Sequence, residues 1–319
     1  MEQVNFSVVV PVYNEELVID ESYRRLRDVM ERADGTYELI FVNDGSRDGS
    51  LPRLRELAAG DPHVRVLSFS RNFGHQTAIT AGMDFSSGEA VLVIDADLQD
   101  PPEVMLAMIE KWREGFEVVY GKRTKRKGET AFKKFTASVF YRTLNALTDV
   151  DIPVDTGDFR LLDRKVCDTM KTLPEHNRYV RGLVSWVGFR QTAVEYVREE
   201  RFAGETKYPL KKMLKLAVDG LTSFSYRPLK LASTLGVLVL VLSGLFLLIS
   251  LIVDLATPHY LGPVYYIGGF SFLLNGLVLL VIGFAGEYIG RICDEVRGRP
   301  LYIVGETHGF PTDSDRKDG

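Results

Sequence analysis

The chain has 319 residues, with 39 basic against 43 acidic side chains and a formal net charge of −4. That balance excludes a global basic field of the kind that binds nucleic acid through charge, and the length allows one large domain with an addition, or two domains. The two cysteines, Cys167 and Cys293, fit neither a disulfide framework nor a metal-knuckle spacing, which points to a reduced, cytosol-facing setting.

The N-terminus, MEQVNFSVVVPVYNEE, has no basic segment ahead of an apolar stretch and does not read as a signal peptide. In chain order the pattern predicts a strand at 6–12, a helix at 16–33 and a strand at 37–44. A short helix at 49–59, a strand at 64–69, a helix at 75–86 and a strand at 90–97 follow. The segment PPEVMLAMIEKWREG opens with prolines suited to a helix's first turn, and FEVVYG (116–121) reads as a further strand. Apolar strands alternating with helices over residues 1 to about 165 predict a mostly parallel sheet covered on both faces. In such sheets ligands bind beyond the carboxyl ends of the strands. No internal repeat or low-complexity segment is present.

The second part of the chain differs in kind. Residues 231–253 and 264–286 are two runs without a single charge, each roughly 35 Å long as a helix and so able to cross a bilayer. Lys211, Lys212, Lys215, Arg227 and Lys230 precede the first run, and Arg291, Arg297 and Arg299 follow the second. The loop between them, DLATPHYLGP, has no Lys or Arg, so both termini are expected on the cytoplasmic side of the plasma membrane in a multi-pass protein. Residues 206–230 segregate lysines from Met213, Leu214, Leu216, Ala217 and Leu221, the pattern of an interfacial helix or of a soluble amphipathic one. The final PTDSDRKDG reads as disordered.

The strand ends carry the chemistry. They read PVYNEE, NDGSRDGS and DADLQD, and no G-x-G-x-x-G or G-x-x-x-x-G-K-[ST] is found, which removes the dinucleotide-fold and P-loop readings. Asp44 suits either a ribose or base contact or a plain turn before Gly45. Asp95, Asp97 and Asp100, within six residues as the chain leaves a strand, repel one another unless water or a cation relieves the strain, and Gln99 stands among them. A lone D-x-D is most often a solvated turn; the strand context argues otherwise here. Asp100, ahead of two prolines, suits a helix cap. His75 reads as a polar residue at a helix start rather than a base.

PVYNEE, VNDGS and DADLQDPPE, in this order and spacing, resemble family 2 glycosyltransferases of the GT-A fold. SRNFGHQTAITAG (70–82), DTGDFRLLDR (155–164), RGLVSWVGFRQ (181–191) and REERFAGETKY (198–208), with the paired uncharged runs, narrow the resemblance to the polyisoprenyl-phosphate glycosyltransferases. It covers residues 5 to about 305. It implies a Rossmann-like, mostly parallel GT-A sheet domain plus a two-helix transmembrane hairpin. The expected division is 1–205 for the cytosolic domain, 206–230 for the interfacial region, 231–290 for the hairpin and 291–319 for a cytosolic tail.

The same resemblance implies transfer of a sugar, with inversion, from a nucleotide diphosphate sugar (UDP-linked glucose or N-acetylhexosamine) to polyprenyl phosphate, with Mg²⁺ or Mn²⁺ as cofactor. Pro11, Tyr13, Glu15, Asp44, Asp95 and Asp97 fall on nucleotide-sugar positions, and Asp97, Gln99 and Asp95 on metal-side positions. Arg123, Arg198, Arg201 and Lys207 match phosphate-binding positions. Asp158 matches the family's catalytic aspartate, which either orients the attacking phosphate or accepts a proton; Arg201 is its expected companion. The basic stretch GKRTKRKGET (121–130) serves equally well as a headgroup-binding loop. The expected partners are donor, lipid acceptor and membrane, with a homo-oligomer open and nucleic acid excluded.

A polysaccharide synthase with a non-lipid acceptor is the main alternative, although no Q-x-x-R-W is present. A glycoside hydrolase would need a carboxylate pair without a nucleotide or metal site. A binding module would not need the full motif set, and a transporter would carry paired charges within its spans.

Overall fold

The computed structural model describes residues 4–125, 156–173, 175–176, 178–199 and 262–310, together with single helical residues between 238 and 252. Its centre is an eight-stranded sheet. β1 (Phe6–Val12), β2 (Tyr37–Asn43), β3 (Val64–Phe69) and β4 (Ala90–Val93) are its apolar middle. β5 (Val118–Lys125), β6 (Thr156–Asp163), β7 (Gln191–Val197) and β8 (Val304–His308) complete it. The order is β7-β5-β6-β4-β1-β2-β3-β8.

β1 reads FSVVVPV and is buried at every position, as a strand covered on both faces must be. Its side chains alternate between two layers. Val8, Val10 and Val12 pack with Leu39 and Phe41 against α1 (Ile19–Met30), α2 (Ser50–Gly60) and α4 (Val104–Arg113). Val9, Ile40 and Val42 pack against α3 (His75–Phe85), α5 (Arg164–Thr172) and α6 (Val180–Trp186). Leu92, Leu26 and Ile79 are fully enclosed, so truncating any of them to alanine costs about 2–5 kcal/mol.

β1 lies parallel to both β2 and β4, and β2 parallel to β3. The chain therefore winds outward from β1 in two directions, and the crevice between β1 and β4 is the switch point where such folds bind ligands. The sheet is mixed rather than simply parallel. β6 lies antiparallel between β4 and β5, and β8 runs antiparallel along β3. β6 supplies the geometry that matters most: Val93 faces Arg160, so continuing the register outward brings Asp158 opposite Asp95.

The expected strand 90–97 stops at Val93. Its ladder with β1 ends at Val9, and the following chain turns away through Leu98, a buried residue at φ 59°. That left-handed conformation is strained for leucine and fixes the shape of the DADLQD loop.

The final strand, β8, lies within the expected C-terminal tail, and the remaining tail, 311–319, is outside the described residues. β8 follows α7 (Gly262–Arg297), 36 residues long, which contains the second uncharged run. The first run lies mostly outside the described residues, as does the interfacial stretch 206–230. Many side chains of α7 also lie outside the described residues, and among the described residues no helix is long and apolar enough to cross a membrane.

Candidate active site

The two first motifs hold each other. Asn14, at φ 54°, donates its N–H to Ser46 Oγ (3.0 Å) and accepts from the Arg47 N–H (2.8 Å). The Glu15 N–H reaches Ser50 Oγ at 2.9 Å, and Glu16 accepts from the Gly49 N–H at 2.6 Å. The PVYNEE loop is thereby fastened to NDGSRDGS. Pro11 faces Val42 beyond the last β1–β4 pair, where β4 has already left the ladder. Tyr13 is 37% exposed at the mouth.

Asp44 is buried and tied to the chain before α3. It accepts from the N–H groups of Phe73 (2.6 Å) and Gly74 (3.0 Å) and from Asn72 Nδ2 (2.8 Å). Burial pushes its carboxyl above the ordinary value against the pull of those hydrogen bonds. These hydrogen bonds shape the 72–74 loop, a tie across the fold rather than the local turn before Gly45 that the sequence suggested.

Asp95 and Asp158 share a cation. His75 Nε2 lies 3.4 Å from Asp95 Oδ1 and 3.3 Å from Asp158 Oδ2. Burial alone would push the imidazole down, but the two carboxylates outweigh it and hold His75 up at about 9. Burial pushes Asp95 up to about 6 despite His75, helped by the nearby charges of Asp97, Asp100 and Asp158. Asp158 also receives Gln76 Nε2 at 3.0 Å and faces Arg181 Nε at 3.2 Å. Burial would raise its carboxyl; Arg181 and His75 together hold it far below the ordinary carboxylate range. Arg160, only 4% exposed, donates to the carbonyls of Gly157 (2.9 Å) and Asp158 (3.3 Å), and burial pushes it down to about 10.

Asp97 is 8% exposed, and its Oδ1 accepts the Gln99 N–H at 3.1 Å. Asp95 Oδ1 is sealed from solvent and takes no hydrogen bond from the described residues. Two carboxylates at one strand mouth, one with an oxygen that takes no hydrogen bond and has His75 Nε2 3.4 Å away, fit a hard cation that draws its other ligands from water and a diphosphate. Among the described residues, no group of three or more His, Cys, Asp or Glu is arranged to hold a metal by itself.

Asp100 does not cap a helix. α4 begins at Val104, with Glu103 at its cap position, and Asp100 instead gathers the basic side of the site. It accepts from Arg123 Nη2 (3.0 Å) and from the Tyr196 hydroxyl, and lies 3.5 Å from Arg198 Nε. Arg123 and Arg198, expected to meet phosphate, thus share one buried anion. Arg201 and Lys207 lie outside the described residues. His75 does begin α3, as expected, but its side chain enters the site. Gln76, Arg160 and Arg181 were not singled out by sequence, although all three stand inside the motifs that carried the resemblance.

The acidic strand exits at the switch point of the sheet place a candidate site at the carboxyl ends of β1, β2 and β4. The model of glycosyl transferase family 2 matches residues 7–170, and the chain belongs to that family. The fold is the GT-A-like mixed α/β sheet, and the protein is a glycosyltransferase. An uncharacterized glycosyltransferase, YkcC, of Bacillus subtilis is 62% identical over 96% of this chain and 95% of its own. The SfII prophage-derived bactoprenol glucosyl transferase of Shigella flexneri is 41% identical over 96% of this chain and 99% of its own. Among solved structures, glucosyl-3-phosphoglycerate synthase from Mycobacterium tuberculosis with Mn²⁺, UDP-glucose and phosphoglyceric acid is 24% identical, with a TM-score of 0.47, covering 69% of this chain and 79% of that one.

Proposed function

We propose that this glycosyltransferase is held in the plasma membrane and moves a sugar from a nucleotide diphosphate sugar to polyprenyl phosphate at the cytosolic face, with inversion at the anomeric carbon. The observation that carries this reading is the end-to-end similarity to a protein named bactoprenol glucosyl transferase. A match over 96% of the chain takes in both uncharged runs, 231–253 and 264–286. A polyprenyl phosphate keeps its tail in the bilayer, so an enzyme that uses it gains from a membrane hairpin beside its site. In this reading the 1–205 domain and the segment from 291 onward are cytosolic, and 206–230 lies along the headgroups. UDP-linked glucose or N-acetylhexosamine is the donor class.

In the reaction a phosphate oxygen of the acceptor forms a bond to the anomeric carbon. The bond from that carbon to the donor diphosphate breaks, and its electron pair leaves with the nucleoside diphosphate. Asp97, with Gln99 and Asp95, would hold Mg²⁺ or Mn²⁺. When bound, the cation neutralises charge growing on the leaving diphosphate. Tyr13, Glu15 and Pro11 line the nucleotide side, while Arg123, Arg198, Arg201 and Lys207 supply cations for phosphate oxygens.

Incubating the purified full chain with polyprenyl phosphate, Mg²⁺ and a panel of labelled nucleotide sugars tests the reading. Label should appear in an organic-extractable lipid with one donor. No lipid-linked label with any donor would overturn it, and label in a water-soluble glycan would favour a synthase-like enzyme with a non-lipid acceptor.

A further inference from the structure

We infer that Asp158 is an anionic anchor rather than a proton acceptor, and that His75, Gln76 and Arg181 are positioning residues acting through it. The inference rests on the polyprenyl-phosphate reading and assigns roles within that site.

A general base needs a lone pair facing the proton it removes. Both Asp158 oxygens face protein donors or cations. Oδ2 accepts from Gln76 Nε2 at 3.0 Å and lies 3.3 Å from His75 Nε2. Oδ1 is closed to solvent, takes no hydrogen bond from the described residues and is ion-paired with Arg181, whose Nε lies 3.2 Å away. Every element packed around the carboxylate contributes to this setting. α3 supplies His75 and Gln76, α6 supplies Arg181 with Tyr179 under its guanidinium, β6 supplies Arg160, and the loop after β4 supplies Asp95 on the far side of His75. Two arginines, Arg181 at 3.2 Å from Oδ1 and Arg160 on the adjoining carbonyls, favour the ionised form of Asp158.

The same contacts show what the anchor holds. Gln76 bonds Asp158 with its amide nitrogen and accepts the Val180 N–H with its oxygen at 2.9 Å, joining the starts of α3 and α6 across the end of β6. His75 passes the constraint on to Asp95, the D-x-D carboxylate 3.4 Å away. Among the described residues, His75 links Asp158 to the donor side.

The chemistry does not require a base. A phosphate monoester has a second pKa of about 6, so the acceptor is mostly a dianion at neutral pH. Attack by a dianion oxygen gives a phosphodiester monoanion and a nucleoside diphosphate, and no proton changes hands.

The test compares wild type and Asp158→Asn with polyprenyl phosphate at pH 6 and pH 8.5. If Asp158 removed the acceptor's proton, its loss would matter less once the acceptor is fully dianionic. We expect the variant's loss in kcat to be the same at both pH values within about two-fold, because a positioning contact is indifferent to the acceptor's proton. A loss that shrinks roughly ten-fold or more at pH 8.5 overturns the inference.

A measurement on wild type and a variant at a second residue add independent readouts. Wild-type single-turnover rates in H₂O and D₂O at pH 6 should agree within about 1.5-fold, and a slowing of about two-fold or more in D₂O would place a proton in flight and overturn the inference. Arg181→Gln should lower kcat more than it raises the donor KM, with partial rescue by Arg181→Lys. Asp158→Asn combined with Arg181→Gln should be no worse than the first alone, since the residues act as one unit. Additive losses would overturn that unit. No lipid product from wild type would overturn the acceptor reading and this inference together, whereas a pH-dependent loss beside an active wild type overturns the inference alone.

Discussion

Arg123 and Asp100 form a buried ion pair at the rim of the site, Nη2 standing 3.0 Å from Oδ2 with the carboxylate 1% exposed. Burial would lower the guanidinium's pKa, but Asp100 and Tyr196 hold it above its ordinary value, so the guanidinium stays charged. Asp100→Ala would leave Arg123 buried without its anion, which costs roughly 3–5 kcal/mol in such pairs. Denaturant unfolding should show that loss. Asp100→Asn, which keeps the shape, should unfold less readily than the alanine variant and change the KM for lipid phosphate more than the KM for donor. An unchanged acceptor KM would separate these arginines from the phosphate.

Gly45 stands at φ 64°, and a Cβ there would meet the Arg71 carbonyl carbon at 2.4 Å and the Asn72 nitrogen at 2.5 Å. Both are backbone atoms, so no side-chain rotation relieves the clash. Gly45→Ala should destabilise the domain by about 1–3 kcal/mol and displace the 72–74 loop that Asp44 holds. Because that loop leads into His75 and Gln76, activity should fall further than stability does. Melting temperature and turnover measured on the same preparation check this, and a variant with a lowered melting temperature and unaltered turnover would refute it.

How much of this was legible in sequence depends on where each partner sits. β1 to β4 announce themselves because central parallel strands are continuous apolar runs, and Asp95 and Asp97 stand out at the end of one. β6 and β7, TGDFRLLD and QTAVEYV, are broken by charged or polar residues and pair with strands far away in the chain. β8 is a five-residue segment in polar surroundings. It is held by Arg55 bonding both oxygens of Glu306, and by Tyr302 stacking on Phe69 and donating to Asp84. None of these partners is local. Asp100 suited a cap because two prolines follow it; its true partners arrive from β5 and from the end of β7. His75 and Arg181 acquire a role only once β6 is threaded antiparallel beside β4, which places Asp158 between them.

The carboxylates at the β4 exit predict dependence on a divalent cation. Chelation should abolish transfer by the purified protein, and added Mg²⁺ or Mn²⁺ should restore it. Asp97→Asn should lower turnover roughly 100-fold or more, since it removes a charge that acts where the leaving group becomes anionic. Calorimetric titration of Mn²⁺ in the presence of nucleoside diphosphate gives a second readout, with weakened binding expected in the variant. Full activity in excess chelator would exclude the metal role for Asp97, Gln99 and Asp95 together.

The end of α7 is latched to the catalytic domain by one histidine. His176 donates its N–H and presents Nδ1 to the two oxygens of Glu295, at 2.8 and 2.7 Å, while Nε2 lies 2.6 Å from the Arg299 carbonyl. Both ring nitrogens can donate at once only in the protonated ring, and the hydrogen bonds to Glu295 and Arg299 hold its pKa above the ordinary value of 6.5. A raised folded pKa means the latch contributes fully below 6.5 and fades as pH rises through the higher folded value. Amide exchange in 175–180 should therefore be slow at pH 6 and, after correction for the intrinsic pH effect, faster on the alkaline side of neutrality. Glu295→Gln should remove most of that pH dependence while β8 keeps its own protection. Since Val180 and Arg181 follow within five residues of the latch, the variant should also lose some turnover, in step with the loosening of α6.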